Sequence, residues 1–445
     1  RDPEMSRGLG DVYKRQISYN PYGRISIGLI AWDFLQWNQK AAWPLWNQKG
    51  ETSMNREEMI ERAKQAFGKL IEEDLDRIEG IRKAPPRKDF LHLSHVKVGI
   101  MPGDGIGPYI MKAALLVARK LLKKEIADQR VEFVPIKGMT IEERARQNKS
   151  LPPAVLEACK ACDILVKGPF VTPRAGDRWP NLLSANSLLR RQLQLYAAVR
   201  PIRIPEKGID WTFFRENIEG EYIWGNKGIC VGDDLAIDFK ILSKPGAERL
   251  FRNAFEYAKS SGKTNITVAT KANIVKLVDG NFLKVAHAME KEYPGIHVRE
   301  ELIDSLSAKL MDPEFNAGMQ VFVLPNLYGD ILTDIAAEYQ GGLGTASSSN
   351  IGDQYAMFEA IHGVGVYLVE HNRAQYADPS SLIRAMGEMM AFIGYPEKRD
   401  RLFKALDFCT KVERKAVITT DKDGATAEEF AEYVVETLHK MEVQE

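Results

Sequence analysis

Short apolar runs alternate with helical patterns through most of the chain beyond residue 95, and that alternation confines the fold to the α/β class. Val96–Ile100 leads into MPGDGIGP (101–108) and a helical pattern through Lys124. Strand, glycine turn and helix in that order gather backbone N–H groups at a helix N-terminus, where anions are held. Strand-like Val131–Ile136, helical Leu151–Ala161 and the strand Ile164–Val166, ending in Lys167-Gly168-Pro169, continue the pattern. Further on, helical Leu250–Lys259 precedes strand-like Asn265–Thr270, and Val298–Ile303 leads to Asp304. Helices over 380–393, 399–410 and 426–440, with a turn TTDKDG at 419–424, close the chain. The glycines at 103, 105 and 107 are spaced G-x-G-x-G, and the G-x-G-x-x-G dinucleotide fingerprint occurs nowhere.

Within this frame VFVLPNLYGDILTD (321–334) carries the densest chemistry. The run Val321–Leu324 stops at Pro325-Asn326, and the spacing predicts a helix beginning near Tyr328-Gly329. Asp330 and Asp334 are four apart, so on a helix their carboxylates leave one face, a turn apart. No Lys or Arg follows before that helix ends, and like charges at this spacing repel by a few tenths of a kcal/mol. A divalent cation would relieve the repulsion; a solvated acidic face is the alternative.

The 61 basic and 61 acidic residues cancel, leaving no electrostatic footprint for nucleic acid or an anionic membrane. With 445 residues, 44% of them hydrophobic, the chain can bury a large core in two or more lobes. Four cysteines do not make a disulfide scaffold and fit a reducing cytoplasm. Cys159 and Cys162, in EACKACDIL with no His or second Cys pair nearby, read as structural. No apolar run reaches the roughly 20 residues of a membrane helix. Ile25–Trp32, followed by Asp33, lacks the small-residue cleavage site of a signal peptide.

The first 53 residues read differently. RDPEMSRGLGDVYKRQ (1–16) resembles translated adapter sequence, and WNQK occurs at both 37 and 46. Lys49-Gly50-Glu51 can be encoded by a purine run containing AGGAG, two codons ahead of Met54. The expectation is a native start at Met54 with 1–53 a non-native leader; a genuine N-terminal extension is the alternative. NREEMIERAKQAFGKLIEEDLDRIEGIRK (55–83) has apolar residues at helical spacing, predicting a helix or helical pair before Pro85-Pro86 and a linker to His95.

SANSLLRRQLQLYAAVRP (184–201) opens with the N-cap types Ser184 and Asn186. Asn186 and Arg190 are four apart, and Arg200 falls on the following strand. Hydroxyl, amide and guanidinium groups near a helix N-terminus suit a carboxylate. After a turn at Glu206–Gly208, Arg215 follows mostly aromatic residues in WTFFRENIEGEYIWGNKG (211–228), a poor place for a guanidinium without an anionic partner. Tyr222 lies between Gly220 and Gly225, and Lys271 ends an apolar strand, placed to move a proton. GGLGTASSSNIG (341–352) and FEAIHG (358–363) are small-residue segments that let a ligand approach the backbone.

MPGDGIGP, VKGP (166–169), SANSLLRRQLQLYAAVRP, FFRENIEGEY, KANIVK (271–276), NLYGDILTD and EAIHG occur in order over residues 96–440. Together they resemble the metal-dependent β-decarboxylating dehydrogenases, the isocitrate and 3-isopropylmalate dehydrogenase superfamily, nearest its isocitrate branch. The resemblance implies an α/β, doubly wound, two-lobed fold without the Rossmann fingerprint. Residues 96–200 and 341–445 would form a large cofactor-binding lobe and 201–340 a small lobe with the dimer interface, after a helical extension and linker at 54–95. It also implies that Asp304, Asp330 and Asp334 hold Mg²⁺ or Mn²⁺ and that Arg190, Arg200 and Arg215 clamp substrate carboxylates. Tyr222 and Lys271 match the proton-transfer pair, with Lys271 and Asp304 supplied by the other subunit of a homodimer. Gly103, Gly105, Gly107, Thr172, His362, Gly363 and Asp378 match cofactor neighbours, Asp378 standing where the family usually has Asn.

The isocitrate branch carries the Ser-x-Asn seen at Ser184 and Asn186, where the pair bonds an extra carboxymethyl group. Against an isopropyl group it would leave buried donors unpaired, at roughly 1–3 kcal/mol each. Isocitrate is the expected substrate, with homoisocitrate next and 3-isopropylmalate as a further alternative. At the cofactor, VGVYLVEHNRAQYADP departs from the family's small residue, Ala and Pro after His-Gly. Tyr367-Leu368 stand where NADP users tend to have Lys-Tyr and NAD users an Asp and an apolar residue. Thr420 and Gly424 stand where NADP users place Tyr and Arg, and the missing phosphate clamp favours NAD over NADP. A catalytically silent regulatory subunit is the non-enzyme alternative, opposed by the complete set of acids, arginines, Tyr222 and Lys271. The partners expected are a small tricarboxylate and a second copy of the chain, with no nucleic acid and no membrane, in a bacterial or archaeal cytoplasm.

Overall fold

The structure, a computed structural model, describes residues 55–445 except 175, 226, 232–233, 343–344 and 445. The expected leader at 1–53 and start at Met54 lie outside the described residues.

In chain order the strands are β1 (Val96–Met101), β2 (Val131–Pro135), β3 (Ile164–Lys167), β4 (Ala197–Ile204), β5 (Ile209–Glu216) and β6 (Ile229–Val231). They continue as β7 (Leu235–Ile237), β8 (Asn265–Thr270), β9 (His297–Leu302), β10 (Val321–Leu324), β11 (Ser347–Ile351) and β12 (Ala356–Ala360). The helices that frame the site and its surroundings include α1 (Arg56–Arg82), α2 (Gly107–Leu121), α3 (Ala185–Gln192), α4 (Lys244–Ser260) and α5 (Val278–Glu290). After them come α6 (Ile303–Lys309), α7 (Asn326–Gln340), α8 (Ser380–Phe392), α9 (Pro396–Asp407) and α10 (Ala427–Gln444). Ten strands make one sheet in the order β2-β1-β3-β12-β11-β4-β5-β10-β8-β9, and β6 and β7 form a separate hairpin.

Two parallel sets, β2-β1-β3-β12 and β5-β10-β8-β9, are joined through antiparallel β11 and β4. Strands with both faces covered are buried throughout, as in VFVL of β10. Val321 and Val323 enter a core with Phe214, Phe251 and Phe255, while Phe322 and Leu324 join Trp211, Phe213, Leu332 and Ala336 on the opposite face. Phe213 and Phe322 stack with centroids 4.4 Å apart. The alternation puts Val199 and Phe214 on one side of the central strands, and Arg200 and Arg215 on the side of α7.

Local signals account for most element ends. Asn55 caps α1 in a reciprocal capping box with Glu58, and the helix ends ahead of Pro85-Pro86. Leu151–Ala161 shortens to Pro153–Lys160, since Pro152 and Pro153 belong at a helix start rather than inside it. The expected start of α7 near Tyr328-Gly329 is corrected to Asn326: Gly329 N–H already bonds the Pro325 carbonyl at 2.9 Å. Cys159 and Cys162 are buried free thiols, and burial pushes Cys159 up to about 12, as suits a packing role. Among the described residues no helix is long and apolar enough to cross a membrane.

Candidate active site

At the centre of the sheet β4 and β5 pair antiparallel, with Ala198 opposite Arg215 and Arg200 opposite Phe213, and α7 crosses above them. Arg215 is buried. Its Nε and Nη2 donate to Asn326 Oδ1 at 3.1 and 2.6 Å, and its Nη1 pairs with Asp330. The other Asp330 oxygen accepts the Tyr222 hydroxyl at 2.8 Å. Burial, then this hydrogen bond and the Asp330 charge, pushes the Tyr222 phenol up to about 12. One turn on, Asp334 accepts from Arg200 Nη1 at 2.6 Å, and the same nitrogen donates to Thr333 Oγ1 at 2.7 Å. Gly329 lets the crossing happen, because a Cβ there would lie 2.6 Å from Arg215 Cγ.

The two acids expected to stand unpaired are therefore each matched with a guanidinium. The local sequence holds no counter-charge on α7, and the sheet supplies it from strands more than 100 residues earlier. The anionic partner expected of Arg215 is Asp330. Lys271 and Asp304 pair with each other at 2.7 Å, Asp304 well exposed in the first turn of α6. Exposed Ile274, Leu277 and Leu302 flank them in sequence, and α7 exposes Ile331 and Ile335 beside its two acids.

Among the described residues no three acidic, His or Cys side chains converge as a metal site. Asp330 and Asp334 nonetheless offer carboxylate oxygens from one helix face, a donor set suited to a hard cation and short of a third such ligand among the described residues.

A further polar group flanks the arginines. Ser184 caps α3, its Oγ accepting from Ser187 N–H, and Asn186 follows on the first turn. Asn186 Oδ1, Arg190 Nε and Arg200 Nε are buried without a hydrogen-bond partner among the described residues. Arg190 Nη2 donates to Glu359 at 3.2 Å, and Glu359 also pairs with Lys167 and accepts from Asn350 at 2.7 Å. Burial alone would raise the Glu359 carboxyl, yet Lys167 and Arg190 hold it down at about 2. Burial, partly offset by Glu359, lowers Lys167. Nothing in VKGP or FEAIHG showed that Lys167 and Glu359 meet; the only signal was a charge inside each apolar strand.

Beside this network, His362 Nε2 is also buried without a partner, and burial lowers the ring's pKa. Gly363 is exposed, and Asp378 accepts from Ser380 N–H at the start of α8. The glycine turn is a chain crossing: added Cβ atoms at Gly103, Gly105 and Gly107 would meet the carbonyls of Pro169, Val364 and Pro102. Gly103 and Gly105 also have positive φ. Asp104 fastens the turn by accepting from Ile141 N–H at 2.7 Å, Val171 N–H at 2.8 Å and buried Arg144 at 3.0 Å, which positions the segment carrying exposed Thr172. The Asp104–Arg144 pair joins residues 40 apart, and no local pattern in the sequence marks it.

Residues 97–436 match the family model described as isocitrate/isopropylmalate dehydrogenase. The chain is 33% identical over 335 residues to the mitochondrial "Isocitrate dehydrogenase [NAD] subunit 2" of Schizosaccharomyces pombe, covering 74% of this chain and 83% of that one. It is 33% identical over 352 residues to the "Isocitrate/homoisocitrate dehydrogenase" of Thermus thermophilus, covering 78% and 99%. The crystal structure of isocitrate dehydrogenase from Methylococcus capsulatus superposes with a TM-score of 0.66 at 31% identity, covering 77% of this chain and 99% of that one.

Proposed function

The chain belongs to the isocitrate/isopropylmalate dehydrogenase family, and on that footing we propose that it oxidises and decarboxylates isocitrate to 2-oxoglutarate, passing the hydride to NAD. The observation that carries the substrate is the set of buried, unpartnered polar atoms on Asn186, Arg190 and Arg200. Substrate carboxylates accept from the Arg190 and Arg200 Nε–H groups, and the third carboxylate of a tricarboxylate accepts from the Asn186 amide N–H₂ once that amide is turned over. An isopropyl group instead leaves the amide unpaired at roughly 1–3 kcal/mol. Homoisocitrate is the second reading, because its extra methylene leaves the same polar contacts available. NAD rests on Thr420 and Gly424, which offer no cationic or phenolic clamp for a 2′-phosphate. A relative named for NADP stands equally near in sequence, at 33% identity, so the cofactor is assayed directly.

Arg190, Arg200 and Arg215 bind and orient the substrate carboxylates. Asp330 and Asp334, with Asp304 of the partner subunit, would hold Mg²⁺ or Mn²⁺, which when bound supplies Lewis acidity toward the substrate's hydroxyl oxygen. Lys271 of the partner subunit, as the neutral amine released from its pair with Asp304, takes the hydroxyl proton as hydride leaves the same carbon for NAD. Tyr222 returns a proton to the carbon that has lost CO₂, the phenol being protonated at neutral pH, as a donor must be. The exposed apolar residues beside Asp304 and along α7 support a homodimer that brings the two halves together.

The test is a matrix of isocitrate, homoisocitrate and 3-isopropylmalate against NAD and NADP, each with Mn²⁺, Mg²⁺ or EDTA. Metal-dependent turnover of isocitrate with NAD is expected. Turnover of 3-isopropylmalate alone, or of none of the three acids with metal, overturns the reading and in the latter case favours a silent regulatory subunit.

A further inference from the structure

Helix α1 precedes the region matched by the family and packs on the segment that carries Tyr222. Leu70 is buried, Phe67 stacks on Phe239 at 5.4 Å, and Phe239 meets Trp224 edge-on at 5.1 Å. Glu73 pairs with Lys227. At the centre of this contact Arg77, held by Asp74 at 2.9 Å, donates to Glu219 at 2.6 Å.

The Glu219 side chain is fully buried. Besides Arg77 it accepts from Ser243 N–H at 2.7 Å and Ser243 Oγ at 2.5 Å, and Gly246 has no room for a Cβ beside it. The Glu219 backbone carbonyl accepts from Asn326 Nδ2 at 2.7 Å. Asn326 Oδ1 in turn holds Arg215, which pairs with Asp330, the acceptor of the Tyr222 hydroxyl. Glu219 and Tyr222 are three residues apart on one short segment, so what fixes the first limits where the second can go.

We propose that Arg77 is a positioning residue: from an element outside the matched family region it balances the buried Glu219 charge and so holds Tyr222 in place to deliver its proton. Without the guanidinium, Glu219 is a buried carboxylate close to a second buried acid, Glu216, and the segment must move to hydrate it. This inference rests on the reading of Tyr222 as proton donor.

The experiment compares the full chain with Arg77→Met, Arg77→Lys and the double variant Arg77→Met/Glu219→Gln. Amide hydrogen exchange of 217–224 reports the brace without any catalysis, and Arg77→Met should exchange there about tenfold faster, since local opening tracks lost buried contacts. With isocitrate, kcat should fall about tenfold or more while KM stays within about threefold, because a small misplacement of a reacting group is costly. Arg77→Lys, which keeps the charge, should recover part of kcat. If Arg77→Met does not fold, Arg77→Lys carries the test through a smaller rise in exchange at 217–224. The double variant, which removes the charge that Arg77 balances, should then fold and recover protection there; a double variant that stays unfolded overturns the inference. Unchanged exchange at 217–224, or a kcat unchanged in folded Arg77→Met, overturns the inference. A wild-type chain that turns over no acid sinks the functional reading instead, and the exchange result then decides the brace alone.

Discussion

Replacing Glu359 by glutamine tests the buried charge network beside Arg190. Glu359 is held at about 2 against an ordinary 4.5, which corresponds to about 3 kcal/mol of stability at pH 7. Because its folded pKa is depressed, that stability is complete above 4.5 and is lost as pH falls toward 2. Glutamine keeps an oxygen for the Asn350 amide but leaves Lys167 a buried cation next to Arg190. Stripping one partner from a buried pair costs about 3–5 kcal/mol, so Glu359→Gln should lose roughly that much at pH 7. Lys167 can escape by releasing its proton, which burial already favours, so the penalty should shrink as pH rises toward the lysine's ordinary range. Lys167→Met should partly rescue Glu359→Gln, since no unpaired charge is then left inside. Denaturant midpoints at pH 7 and 9.5 for the wild type, both single variants and the double give the answer. A loss under about 1 kcal/mol at pH 7, an equal penalty at both pH values, or strict additivity refutes the argument.

Asp334→Asn should abolish metal-dependent turnover while the fold survives, because the side chain is half exposed and Arg200 keeps Thr333; near-normal rates disprove the ligand assignment. Gly329→Ala puts a methyl 2.6 Å from Arg215 Cγ, and overpacking of this kind costs about 1–3 kcal/mol, read as a lower denaturation midpoint with weakened substrate binding. Glu216 is pushed up to about 7 by burial and then by Glu219, so its charging opposes folding. Stability should fall as pH rises from about 4.5 to 7, and Glu216→Gln should flatten that slope in a series of midpoints from pH 5 to 8.

Periodicity and turn chemistry made the elements legible: the β1 strand, glycine turn and α2, the capped α1, and Asp330 and Asp334 on one face of α7 act over a few residues. The family could be read from motif order, since each motif is local and their succession is written along the chain. What stayed hidden was partnership across the sheet. That Asp330 faces Arg215 and Asp334 faces Arg200, that Lys167 and Glu359 neutralise each other, and that Arg77 reaches Glu219 all depend on strand order and on where a helix crosses. Charges pair through space rather than along the chain, so only the folded sheet decides which opposite charge lies within 3 Å.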